Sequence, residues 1–141
     1  MTQLQRTPGW RRRFETVCDD WKREPFSWGD NDCAVGLVGR LVEAVTGQDL
    51  TADYRGQYED ATSAYRLMRR AGFTNLADLV ADLLPEIHPS QAKIGDVAAI
   101  PDDSLFGYAL GIVNGERVFV LRADGHGTVD LLSAARAFKV G

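Results

Sequence analysis

Apolar positions recur at helical spacing through the first half of the chain and at strand spacing through the second. Trp10, Phe14, Val17, Cys18 and Trp21 fall at i, i+4, i+7, i+8 and i+11, one face of a helix over about Gly9 to Lys22. Pro25 closes that region. Ala34, Leu37, Val38, Leu41, Val42 and Val45 then mark a second, central helix from Asp32 to Thr46, with Gly47 as its stop. Gly36 and Gly39 inside it cost roughly 1 kcal/mol each relative to alanine, which implies close backbone packing as compensation. Residues 49–60 have no clean period and read as an ordered loop whose Tyr54 and Tyr58 either wall a pocket or seal the core. Two more helices follow: Ala61 to Ala71, ended by Gly72, and Leu76 to Leu84, capped by Asn75 and stopped by Pro85.

From Ile94 the period changes. Gly95-Asp96 turns into the apolar run Val97 to Ile100, a buried strand bounded by Pro101-Asp102-Asp103. Tyr108 to Val113 and Glu116 to Arg122 flank Asn114-Gly115, a strong hairpin signal because both turn positions of such a loop need positive φ. A two-residue Asn114-Gly115 loop sets Val113 against Glu116 and Val120 against Ala109. A further strand is expected from Thr128 to Leu132, after the loop Asp124-Gly125-His126-Gly127, and residues 133–138 read as a turn of helix or an irregular tail. The fold class is α+β: four helices, then a small antiparallel sheet, with the central helix packed on the sheet in a single domain spanning residues 1–141.

Composition supports a globular domain and narrows its partners. The 141 residues are 45% hydrophobic and 26% charged, enough for a sizeable core without disulfide or metal support. A net charge of −4 gives no electrostatic basis for binding nucleic acid or an anionic membrane. The Arg11-Arg12-Arg13 run lies mostly off the apolar stripe of its helix and reads as a solvated face. No apolar run reaches the length of a membrane span, and the first residues lack the apolar core of a secretory signal, so the expectation is synthesis and folding in the cytoplasm. Cys18, Cys33, His88 and His126 fit no zinc spacing, and there is no phosphate-cradling glycine loop, so neither metal nor cofactor is expected. A Cys18–Cys33 disulfide is disfavoured in a reducing compartment.

The stretch that carries candidate chemistry is Ser27-Trp28-Gly29-Asp30-Asn31-Asp32-Cys33, a polar turn that delivers a cysteine onto the start of the central helix. A thiol at a helix N-terminus feels the positive end of the helix dipole, which favours thiolate, and the free N–H groups there can hold an oxyanion. Cys33 is thus a candidate nucleophile. It is equally a small apolar side chain of a type often buried for packing alone. Trp28, Asp32, Tyr108 and Ala109 are the residues expected to line a cleft beside it.

Three landmarks stand in order: Asp32-Cys33 opening an apolar helix that ends at Thr46-Gly47, Gly95-Asp96-Val97 entering a strand, and Leu110-Gly111-Ile112 before a tight turn. Together they resemble the NlpC-type cell-wall cysteine peptidases, a papain-like superfamily. The run Pro25 to Cys33, with Tyr54-Arg55-Gly56-Gln57-Tyr58, resembles an uncharacterised branch of it encoded in bacteriophage tail gene clusters. The resemblance implies Cys33 as nucleophile, a histidine two residues before the Gly-Ile pair, and a third polar residue on the neighbouring strand. Those two positions here are Ala109 and Val120, neither of which can take or orient a proton. His126 is the substitute base if its loop folds toward Cys33, and otherwise part of a solvent-exposed turn; His88 reads as a loop residue.

Two functions follow from the resemblance. One is a tail-tip or hub component, incorporated in the virion tail, that keeps a degenerate peptidase fold as a structural or interaction module among other tail proteins. The other is an active cysteine peptidase or amidase that cleaves host peptidoglycan during DNA entry, with His126 as acid and base.

Overall fold

The computed structural model describes residues 4–141. Its helices follow the apolar stripes closely. Helix α1 (Trp10–Trp21) turns Phe14, Cys18 and Trp21 inward. The central helix starts after Asp32, whose side-chain Oδ1 accepts from the N–H groups of Ala34 at 3.0 Å and Val35 at 2.9 Å. Its first six residues, Cys33–Val38, wind as a π-helical segment, with the Leu37 N–H donating to the Asp32 carbonyl at 2.9 Å; α2 (Gly39–Thr46) continues it to Gly47. The compensation expected at Gly36 and Gly39 is present. A β-carbon at Gly36 would stand 2.6 Å from the Asn31 Cα, and one at Gly39 would stand 2.3 Å from the Thr51 hydroxyl. The turn before Cys33 and the loop after α2 therefore press directly on the helix backbone. Helix α3 (Ala61–Arg70) begins in a capping box formed by Asp60 and Ser63, and α4 (Leu76–Leu83) is capped by Asn75.

Six strands form one antiparallel sheet: β1 (Glu86–Ile87), β2 (Val97–Pro101), β3 (Tyr108–Asn114), β4 (Arg117–Arg122), β5 (Gly125–Asp130) and β6 (Arg136–Phe138), in the order β1-β6-β2-β3-β4-β5. The residues expected as a tail supply β6, which inserts between β1 and β2; its Ala137 and Phe138 are fully buried. The expected glycine-rich loop at 124–127 is largely strand. Backbone pairing with β4 draws Gly125, His126 and Gly127 into β5, while Leu131 and Leu132 leave it for a 3₁₀ turn. An edge strand borrows its order from its neighbour's backbone, so weak side-chain signal does not prevent it.

The β3–β4 hairpin forms with a different register. Asn114 pairs with Arg117, so the two loop residues are Gly115 and Glu116, with only Gly115 at positive φ, 76°. A glycine first and an ordinary residue second is the pattern of a II′ loop, which does not need positive φ at both positions. Val120 consequently faces Gly111, not Ala109.

The sheet has two covered faces. Leu110, Ile112, Phe119 and Phe138 join Phe14, Trp21, Leu37, Leu41 and Val45 in the core between sheet and helices. Each large side chain buried there contributes about 1.5–3 kcal/mol. On the other face Ala98, Ile100, Val113, Val118 and Val120 form a smaller cluster under Val129, Leu131 and Ala134. No helix among the described residues is long and apolar enough to cross a membrane.

Candidate active site and its cavity

The turn that presents Cys33 is locked from several sides. Ser27 and Asn31 exchange backbone hydrogen bonds at 2.9 and 2.8 Å, and the Asn31 amide donates to the carbonyls of Glu24 at 3.2 Å and Pro25 at 2.9 Å. Asp32 is 2% exposed and accepts from four donors: the N–H groups of Ala34 and Val35 on one oxygen, the Gly29 N–H at 3.0 Å and the Tyr58 hydroxyl on the other. Its carboxylate is fully engaged in holding the turn, which makes Asp32 a positioning residue for Cys33.

Cys33 itself is half-buried, and a cavity of about 350 Å³ opens beside it. Trp28, Asp32, Cys33, Tyr108 and Ala109 all border that cavity. Its depth comes from residues that the sequence pattern marks only as core: Leu67 and Met68 on α3, Val80 and Leu83 on α4, and Val38 of the π-helical segment. Phe106, in the loop after β2, closes the rim with its ring 6.2 Å from Trp28 and 6.3 Å from Tyr65. Nothing in a helical period distinguishes a residue facing a cavity from one facing a packed neighbour, so this part of the site was not legible.

Burial, then the neighbouring charge of Asp32, pushes the Cys33 thiol up to about 12; the backbone of Leu110 acts in the opposite direction, and Asp102 adds to the rise. The expected dipole effect is overcome by burial and by the adjacent carboxylate, and Asp32 already occupies the N–H groups of Ala34 and Val35. Cys18 is likewise raised, to about 11, chiefly by burial, and both thiols are free.

The supporting positions are corrected by strand alternation. Ala109 pairs with Ile100 and so points to the face away from the helices, whereas Tyr108, Leu110 and Ile112 point toward them. On the helix side β3 places Tyr108, Leu110 and Ile112, and of these Tyr108 is the one with a titratable group; Ala109 also borders the cavity. Val120 lies in the far-face cluster and cannot address Cys33 at all. Arg122, two residues further along β4, does border the cavity.

His126 is not brought to Cys33. Opposite Leu121 on β5, its Nε2–H donates to the Glu24 carbonyl and its ring packs 4.3 Å from that of Trp21, outside the residues that line the cavity. Its Nδ1 is buried without a partner. The substitute-base role fails because β5 pairs along its length with β4, which holds the imidazole against α1. His88 is exposed and caps a 3₁₀ turn, its Nδ1 2.7 Å from the Ser90 hydroxyl. Among the described residues no three His, Cys, Asp or Glu side chains gather as a metal site.

No curated protein matches the chain. A family model described as a domain of unknown function, DUF6950, matches residues 5–140, and the chain, with its capped cysteine and the cavity beside it, belongs to that family.

Proposed function

We propose that this protein is a tail-tip or hub component of a bacteriophage or phage-like particle, a papain-like NlpC-type fold that has lost its peptidase machinery and serves as a structural or interaction module. The landmarks Asp32-Cys33, Gly95-Asp96-Val97 and Leu110-Gly111-Ile112 support the ancestry, and a cysteine-bearing helix packed on an antiparallel sheet accords with it. The observation that carries the loss of activity is that β3 presents Tyr108, a phenol, on the Cys33 side, while both imidazoles of the chain are held elsewhere. Without an imidazole the thiol has no group of the kind that takes its proton near neutral pH and returns it to a leaving amine.

The alternative, an active peptidase or amidase acting on host peptidoglycan, is favoured by one feature: Cys33 borders an open cavity instead of being sealed in the core. Incubation of the purified protein with isolated peptidoglycan separates the two. No stem-peptide cleavage is expected. Cleavage that disappears in Cys33→Ala establishes the enzyme, and absence of the protein from purified tails by mass spectrometry removes the tail assignment.

A further inference from the structure

Protein interiors are packed as densely as organic crystals, and voids larger than a water molecule are few. The cavity beside Cys33, at about 350 Å³, is instead within the size range of small-molecule sites, about 300–1,000 Å³. Its lining is mostly apolar, and Val38, Leu67, Met68, Val80 and Leu83 form an aliphatic wall. Three charged side chains border it: the buried Asp32 beside Cys33, and the exposed Asp102, just after β2, and Arg122, at the end of β4. A mostly apolar lining with a few polar groups suits a molecule with a long apolar part and a small polar one.

We infer that the cavity is a binding site for a single-chain amphiphile, an alkyl chain with an uncharged hydroxyl-type head. At roughly 30 Å³ for each methylene-sized unit, close to the liquid volume of a water, the space accepts a chain of about ten carbons. The head is uncharged because the buried carboxylate of Asp32 borders the cavity at Cys33. A ligand carboxylate there would be repelled by Asp32, while Asp102 and Arg122, opposite in charge and both exposed, are screened by solvent. The site takes no part in peptide cleavage and does not depend on the tail assignment.

The test uses the full chain and a series of primary alcohols from hexanol to decanol, followed by calorimetry and thermal unfolding. Saturable one-to-one binding is expected, with affinity rising about fourfold for each added methylene and the melting temperature rising with ligand concentration. Decanoate should bind about tenfold more weakly than decanol at low salt, a gap that narrows as salt is added. Ala64→Trp, which places an indole in the cavity from α3, should abolish binding while retaining the circular dichroism of the unaltered chain.

Cys33 provides a readout that needs no variant. With decanol at about ten times its Kd, alkylation of Cys33 by N-ethylmaleimide at pH 9, read by peptide mapping, should slow about tenfold. Phosphatidylcholine vesicles test chains presented by a membrane, and no co-sedimentation is expected because two acyl chains exceed the cavity. Absence of decanol binding, undiminished binding in a folded Ala64→Trp, unchanged Cys33 alkylation, tighter binding of decanoate than decanol, or capture by vesicles alone would each overturn the inference.

Discussion

Cys33 and Asp32 sit side by side, and each determines what the other can do. Asp32 accepts four hydrogen bonds, and its charge opposes a negative charge on the adjacent sulfur. The residue that positions the cysteine therefore also quiets it. Alkylation of Cys33 should rise about tenfold per pH unit from 7 to 10 without a plateau, because the thiolate fraction grows tenfold per unit below the pKa. A plateau reached below pH 8 would show an ion pair and contradict this. Stability follows the same titration. The folded thiol holds its proton more tightly than the unfolded one, so its contribution is complete below about 9, the ordinary value, and is lost as pH rises toward about 12. Cys33→Ser should flatten part of that alkaline loss in urea titrations, and Cys18, raised to about 11, accounts for a further part.

At the scale of elements, the site depends on how the central helix meets the turn before it and the strand beneath it. The π-helical start allows the Asn31 backbone to lie against Gly36, where any side chain would collide with main-chain atoms that cannot move aside. Gly36→Ala should therefore destabilise the protein by about 2–3 kcal/mol, despite alanine's higher helix propensity, by overpacking a tight contact. Equilibrium unfolding measures this, and a neutral or stabilising change would mean that the turn can shift. Beneath the helix, the period-2 alternation of β3 decides which residues lie on the helix side. Tyr108 does and Ala109 does not, a difference of one residue that exchanges one face of the sheet for the other.

Across the whole molecule, the N-terminal segment and the C-terminal residues close over the same end of the sheet. Arg6 donates to the carbonyls of Val140 at 2.9 Å and Ile94 at 2.8 Å, and pairs with Asp96 at 3.1 Å while stacking over Trp10. Asp96, 2% exposed, also accepts from the N–H groups of Val140 and Lys93. One carboxylate thus ties the strand-entry turn, the chain's beginning and its end together. Arg6→Met keeps the aliphatic stem and removes the cation, leaving a buried carboxylate with backbone donors alone; a loss of about 3 kcal/mol is expected. Hydrogen exchange should show β6 and the residues before α1 losing protection together. Independent loss of either would argue against a shared clasp.

The helices and the two central hairpin strands were legible because each carries its own evidence. Phe14, Cys18 and Trp21 repeat at the helical period, Asp32 and Asn75 cap the starts that follow them, and Gly115 marks a turn. Such signals are local: propensity, capping and period act over a few residues, so the sequence by itself determined the α+β class, the four helices and central strands in order, and the place of Cys33 at a helix start. What needed the fold was non-local. Strand β6 exists because β1 and β2 offer it backbone partners, the hairpin register follows from which loop residue takes positive φ, and His126 goes where pairing with β4 carries it. The cavity and the state of the thiol belong to the same group. Volume between helices and the field at a sulfur are sums over residues far apart in the chain, and only their arrangement in space decides them.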